Sequence, residues 1–400
     1  MYKIQTLNKI SAEGAAEFPR DEYEIASQIS LPDAILVRSA EMGGMEIPAT
    51  VKAVARAGAG TNNIPVSALT GRGIAVFNTP GANANAVKEL AVLSLLLASR
   101  NVIDAARWTK SLAGKGGEIP ELAEKGKGQF VGPEISGKTL GVIGLGAVGA
   151  LLANTAMDMG MKVIGFDPFI SIESAWHLNS GVTRAENLET LLSESDYVSI
   201  HVPQIPETKG LINADKIKTM KKGARVINLA RGGLVVNGDI IKGLDDGKIA
   251  CFVTDFAAEE LLAHPKVICL PHLGASTPEA EENCAKMAVK QLRNFLETGA
   301  VKNSVNFPTC KLDEGIPEGG MRLCIANKNV PNMVGQITTI LAETKINISA
   351  MVNQKKGDLA YNIIDIDIAV PASVLEKINS IDGVLSTRAI GKSWSFGARG

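Results

Sequence analysis

Several protein classes are excluded by what the chain has little of. Cysteine is scarce: the five, Cys251, Cys269, Cys284, Cys310 and Cys324, are odd in number and lack paired ligand spacing, so neither a disulfide framework nor a zinc site is indicated and no metal is expected. Excess charge is missing as well. The 41 basic and 42 acidic residues leave a formal net charge of −1 with no long run of one sign, so nothing marks a surface for nucleic acid or an anionic membrane. The N-terminal Met1-Tyr2-Lys3-Ile4-Gln5 has no apolar signal region, and the most apolar helical stretch, Ala91 to Ala98, is far shorter than a membrane span. A cytoplasmic protein is expected. What is present is ordinary globular composition, 46% hydrophobic and 21% charged over 400 residues. That length exceeds what one core usually serves, so two or three domains acting on small molecules are expected.

Short apolar runs, Ala34 to Val37, Ala53 to Ala55 and Ile74 to Phe77, each end in turn residues or an arginine. They read as buried parallel strands alternating with helices. Asn78-Thr79-Pro80-Gly81 is a sharp turn, and Val87 to Arg100 has the apolar density of a long buried helix. Ser111 to Gly132, rich in glycine and lysine, lacks a sustained apolar period and reads as a linker. From Thr139 the pattern predicts strand 139–143, helix 147–159, strand 162–166, helix 185–192 and strands 197–200, 225–229, 250–254 and 267–270, a doubly wound parallel sheet. Helix 278–297 leads away, and Asn306 to Gly320 reads as a hinge. The tail then gives strand 321–326, helix 333–344, strands 346–353 and 359–368, helix 371–379 and a strand near 384–390. This βαββαβ order implies a ferredoxin-like sandwich.

Gly144-Leu145-Gly146-Ala147-Val148-Gly149 follows an apolar strand and opens a helix, where glycines allow a tight turn and close approach of the backbone to a pyrophosphate. Asp167 ends the next strand, where a carboxylate can accept from both adenosine ribose hydroxyls. The alternative is a glycine turn with an acidic strand cap. Pro168, Phe169 and Ile170 supply no base for a 2′-phosphate, which favours NAD over NADP. Arg231 and His272 both follow predicted strands, at the edge where open α/β sheets bind ligands. A guanidinium fork suits a 2-hydroxy carboxylate, and an imidazole can take the hydroxyl proton as hydride leaves. Glu260, before the strand that leads to His272, could fix the imidazole's tautomer as the acid of a hydrolase triad does. Singly, these read as a surface ion pair, a structural histidine and a solvated acid. Arg38 and Arg56, each after a short strand, could hold a phosphate or form surface ion pairs.

Several motifs agree at once with one family: Arg56-Ala-Gly58-Ala-Gly60, Asn78-Thr-Pro-Gly81, the 144–149 glycines with Asp167, His201-Val202-Pro203, Asn228-Leu-Ala-Arg231-Gly-Gly, Asp255, and Pro271-His272-Leu-Gly274. Across residues 30 to 306 the chain resembles the D-isomer-specific 2-hydroxyacid dehydrogenases. The resemblance implies a flavodoxin-like substrate domain from 1–95 with 280–308, a Rossmann-type NAD domain over 96–279, and catalysis between them by Arg231, Glu260 and His272. Cofactor contacts would fall at Gly144, Gly146, Ala147, Val148, Gly149, Asp167, His201, Val202, Pro203, Ala230, Asp255 and Gly274. Substrate contacts would fall at Arg38, Arg56, Gly58 and Asn78. The chain departs from the family at Asp255-Phe256-Ala257, where Asp-Val-Phe is usual, and by a shortened stretch before His272 that leaves Glu259 as a second candidate acid. After a linker at 309–320, residues 321–393 with Asn329-Val-Pro331-Asn-Met-Val-Gly335 look like an amino-acid-binding ACT domain. There Asn327, Asn329 and Asn347 stand where relatives bind serine, and a homodimer or homotetramer is implied. With that tail the resemblance implies oxidation of 3-phospho-D-glycerate. An unphosphorylated acid such as glycerate or 2-hydroxyglutarate, or a non-catalytic NAD sensor, stays open.

Overall fold

A computed structural model of the chain describes residues 1–8 and 10–391, and its contacts fall into two compact units, one of residues 1–83 with 281 onward and one of residues 84–280. In the first unit, strands β1 (Tyr2–Leu7), β2 (Tyr23–Ala26), β3 (Ala34–Val37), β4 (Ala53–Arg56) and β5 (Ala75–Phe77) form a parallel sheet in the order β2-β1-β3-β4-β5. This is the flavodoxin order. The apolar runs make β3 and β5 buried throughout, as parallel strands covered on both faces must be. β1 and β2 did not stand out in the sequence, because polar residues interrupt them.

The second unit holds β6 (Thr139–Ile143), β7 (Lys162–Phe166), β8 (Thr183–Arg184), β9 (Tyr197–Ile200), β10 (Ala224–Asn228), β11 (Ile249–Thr254) and β12 (Val267–Cys269), in the order β12-β11-β10-β9-β6-β7-β8. All pairs are parallel. The chain winds outward from β6 to β8, then returns to build from β9 in the other direction. The crevice between β6 and β9 is therefore the topological switch point.

The boundary lies earlier than the sequence suggested. Helix Ala84–Ser99 packs Ala91, Leu95 and Ala98 against Leu140, Leu152 and Ala153, so it belongs to the second unit. Residues 111–132 are not an unstructured linker. Helix Val102–Ser111 and helix Ile119–Gly126 occupy the region, with Trp108 packed on Phe130 at 5.4 Å.

The tail folds as β13 (Met321–Lys328), helix Met333–Glu343, β14 (Ile348–Lys356), β15 (Leu359–Ile366), helix Ala372–Asn379 and β16 (Val384–Gly391), with antiparallel order β14-β15-β13-β16. That is the ferredoxin-like arrangement; residues 392 and 393 of the expected span lie outside the described residues. The tail is not a separate body. Cys324, Ala326, Tyr361, Ile363 and Ile390 share one core with Phe77, Phe295 and Phe307 of the first unit. Nor is 306–320 a free hinge. The Asn306 amide accepts from the Val76 N–H at 2.9 Å and donates to the Ile74 carbonyl at 2.9 Å, while Phe307 and Cys310 are buried.

What fixes the tail is the end of helix Pro278–Thr298, whose last carbonyls have no partner within the helix. Arg388 donates to Phe295 O (2.6 Å), Arg322 to Thr298 O (3.1 Å) and Tyr361 to Gly299 O (3.1 Å). Cations are favoured at this pole of a helix. Arg322, 2% exposed, also forms a bidentate pair with Asp365, both bonds at 2.7 Å. Removing one member strands a buried charge, so Arg322→Met is expected to destabilise the first unit by about 3–5 kcal/mol. Arg322→Met with Asp365→Leu should lose clearly less, as read from urea unfolding followed by circular dichroism.

Candidate active site

The glycine loop leaves β6 at Gly144 with φ +89°, a conformation only glycine adopts freely. A Cβ at Gly149 would sit 1.9 Å from the Gly144 carbonyl, so loop and helix can pack only without one. At Gly146, by contrast, a Cβ would meet nothing within 4 Å. Gly146 caps helix Ala147–Asp158 without any side-chain hydrogen bond, leaving the first-turn N–H groups open to an anion. Asp167, just past β7, accepts from the Leu145 N–H and the Phe169 N–H, each at 2.9 Å. These bonds aim the carboxylate beside the loop and leave further lone pairs for ribose hydroxyls.

His201, Val202 and Pro203 follow β9 on the other side of the switch point. The His201 carbonyl and Val202 Cγ1 would lie 2.7 and 2.8 Å from a Cβ at Gly144, so the two walls of the crevice touch there. The His201 ring is hydrogen-bonded to Ser199 Oγ at 2.8 Å, and burial pushes its pKa down to about 4. It is neutral at neutral pH.

Further along the same strand ends, Asn228 shapes the turn that presents Arg231. Its side chain donates to Arg231 O (2.9 Å) and accepts from the Ala230 N–H (3.2 Å). The Arg231 guanidinium is exposed, donates to Ala230 O at 2.7 Å, and makes no ion pair among the described residues. The surface ion pair considered from sequence is thus not what is seen. Asp255, past β11, is 2% exposed and neither of its oxygens receives a well-aligned hydrogen bond. Burial raises its pKa, and the charges of His272 and Arg231 with the Gly274 amide pull it partway back. His272 is exposed, its ring tilted against Phe256 with centroids 5.1 Å apart.

Arg231, Asp255, His272 and Gly274 are therefore brought together, but Glu260 is not hydrogen-bonded to His272. Its carboxylate accepts from Asn237 Nδ2 at 2.8 Å, which lowers its pKa. Glu259 is exposed on the same short helix Glu259–Leu262. The supporting residues Asn237 and Phe256 were not singled out from sequence; Asn237 carries no local signal, and Phe256 stood only as a departure from the family pattern.

In the first unit Arg38, Arg56, Gly58 and Asn78 gather at the carboxyl ends of β3, β4 and β5. Arg56 Nε donates to Arg38 O (2.9 Å), Thr79 N to Gly58 O (3.0 Å) and Asn78 Nδ2 to Ala59 O (2.5 Å). Arg38 is ion-paired with Glu281. In the tail, Asn329 and Asn347 are exposed, but Asn327 is 1% exposed and hydrogen-bonded through both its amide nitrogen and its amide oxygen. It donates to Lys328 O (2.6 Å) and accepts from Asn362 (2.7 Å), which in turn accepts from Asn353 (2.6 Å). This amide ladder crosses three strands, and it removes Asn327 from the set able to hold an effector.

The depressed His201 pKa has a consequence for stability. Between pH 6.5 and about 4 the unfolded chain binds the proton that the folded chain refuses. The stability His201 contributes is complete above pH 6.5 and lost as the pH falls toward 4. Urea midpoints of the cofactor-free protein are expected to drop across that window, and His201→Gln to flatten the drop.

Residues 92–274 match the family described as D-isomer specific 2-hydroxyacid dehydrogenase, NAD binding domain. The D-3-phosphoglycerate dehydrogenase of Haemophilus influenzae is 33% identical over 348 residues, covering 83% of this chain and 79% of that protein. The Synechocystis sp. protein of the same name is 36% identical over 296 residues, 72% of this chain, and the match spans 51% of its own length. Among solved structures, NAD+-bound 3-phosphoglycerate dehydrogenase from Entamoeba histolytica aligns with a TM-score of 0.59 at 25% identity, over 78% of this chain and 99% of that one. The chain belongs to the D-isomer specific 2-hydroxyacid dehydrogenase family, and its second unit carries that family's NAD-binding domain.

Proposed function

We propose that the chain is a cytoplasmic NAD-dependent dehydrogenase that oxidises 3-phospho-D-glycerate to 3-phosphohydroxypyruvate, the first step of L-serine biosynthesis. The observation that carries this reading is the grouping of Arg231, free of any ion pair among the described residues, with His272 and the buried Asp255, on the sheet edge that also carries the nucleotide cradle. The names of the relatives supply the substrate, and the ferredoxin-like tail agrees with them.

The residues present fit NAD. The helix-end amides at Ala147 and Val148 suit its pyrophosphate, Asp167 its ribose, and the orphaned Asp255 carboxylate a hydrogen-bond donor such as its carboxamide. NAD+ held by these residues would supply the acceptor for the hydride released from the C2–H bond of the substrate. His272 takes the proton of the C2 hydroxyl, an imidazole being matched to neutral pH. Arg231 binds the carboxylate and the C2 oxygen, orienting the substrate and stabilising charge on that oxygen in the reverse direction. Glu260 turns from Asn237 to the second ring nitrogen of His272 and holds its tautomer. For the phosphate, the first unit offers Arg56 and Arg38 on adjacent strands. In the tail, Asn329 and Asn347 are the proposed contacts for an amino-acid effector such as serine, in a homodimer or homotetramer.

Absorbance at 340 nm should show NADH forming from 3-phospho-D-glycerate and disappearing with 3-phosphohydroxypyruvate; turnover of neither refutes the reading. Preference for glycerate or 2-hydroxyglutarate in kcat/KM would refute the phosphorylated substrate. His272→Ala is expected to lower kcat by roughly 10²–10⁴-fold while NADH still binds. Removing a carboxylate that stabilises the imidazolium lowers the imidazole pKa. Glu260→Gln should therefore shift the rising limb of kcat/KM against pH to lower pH, whereas Asp255→Asn should chiefly raise KM for NAD+. An unmoved limb in Glu260→Gln rules out its proposed role.

A further inference from the structure

The His272 imidazole makes no hydrogen bond among the described residues, so no polar partner sets its orientation. A base that must meet a hydroxyl proton needs its ring held in place. What packs on this ring is Phe256, tilted 56° to the imidazole with centroids 5.1 Å apart. Aromatic pairs prefer tilted or offset arrangements at such spacings over a face-to-face stack.

Phe256 is itself fixed from two sides. Its N–H donates to Oγ1 of the buried Thr254 at 3.2 Å, which pins the backbone just past β11. Its side chain lies against Gly232, the residue after Arg231: a Cβ added at Gly232 would sit 3.2 Å from Phe256 Cβ and 3.4 Å from its Cγ. Phe256 therefore packs beside both the turn that presents Arg231 and the imidazole of His272. Neither contact involves Glu260, whose carboxylate is held by Asn237.

We propose that Phe256 is a positioning residue for the dehydrogenase reaction, its ring holding the His272 imidazole in a fixed attitude to Arg231 so that base and guanidinium address one substrate. It acts through His272 and touches no reacting atom. The inference rests on the dehydrogenase reading above. Its leverage comes from alignment, since misplacing a reacting group by about 1 Å can cost roughly a hundredfold in rate.

The experiment is a kinetic double-mutant cycle on the full chain with NAD+ and the 2-hydroxy acid it turns over best, 3-phospho-D-glycerate on the reading above. Phe256→Leu is expected to lower kcat about ten- to a hundredfold at nearly unchanged KM, because alignment of a base is felt in the transition state. Phe256→Tyr, which keeps the ring, should recover most of that loss. In the His272→Ala background Phe256→Leu should cost nothing further, since a residue that acts through the imidazole has no effect once the imidazole is gone. NADH affinity checks that the variant folds, and Phe256→Met takes the place of Phe256→Leu should the latter not bind NADH. Wild-type kcat in the ringless variant, a loss that Phe256→Tyr shares, or a loss that persists in full without His272 would each overturn the proposal and leave the dehydrogenase reading standing. A wild-type chain that turns over no 2-hydroxy acid refutes that reading, and this inference with it.

Discussion

Parallel strands covered on both faces tolerate almost no polar side chain along their length, and this one constraint places nearly every candidate functional residue in the chain. β3, β5 and β9 are buried from end to end, and β6 and β10 nearly so. Chemistry can then emerge only where a strand stops. Arg38, Arg56 and Asn78 stand there in the first sheet, as do Gly144, Asp167, His201, Arg231, Asp255 and His272 in the second. The same constraint explains why the polar residues that do remain inside are spoken for. Asn228 builds the Arg231 turn, and Asn306 completes the backbone bonding beside β5.

A second constraint governs the tail. A long helix leaves carbonyls exposed at its last turn, and burying them without donors is unfavourable. Here the donors come from the far end of the sequence: Arg322 from β13, Tyr361 from β15 and Arg388 from β16. Arg388 also lies over the Phe295 ring, its guanidinium carbon 4.1 Å from the centroid. Arg322 is itself neutralised by Asp365, so its buried charge is not left alone. An antiparallel sheet often keeps one wet face; this one shares a core with the first unit on one side and carries its own helices on the other. The tail is thereby built into the first unit instead of being tethered to it.

This contrast explains what was legible in the sequence and what was not. Strands with two buried faces announce themselves as unbroken apolar runs, and 139–143 and 197–200 were readable to the residue. The glycine loop with Asp167 was readable because its geometry admits few other residues. β1, whose single fully buried residue is Ile4, shows no such run. The stretch 306–320 looked like a hinge because its composition is polar, yet Asn306 uses that polarity to bind β5 from 230 positions away in sequence. Long-range partners of this kind, Arg38 with Glu281 and Glu260 with Asn237 among them, leave no local trace. Asn327 was misplaced for the same reason, since its ladder through Asn362 and Asn353 exists only once three strands are aligned.

Burial also separates the two carboxylates of the 255–260 segment. Glu260 is exposed and hydrogen-bonded to an amide that favours its ionised form, so it is a charged group free to change partners. Asp255 is desolvated and lacks donors, which makes its charge costly unless a cation or a ligand's N–H lies beside it. Arg231 is such a cation, and His272 acts on Asp255 in the same direction. The departure of the 255–260 segment from the family pattern thus falls around Glu260, whose partner is Asn237, and leaves Asp255, which the family pattern keeps, beside Arg231 and His272.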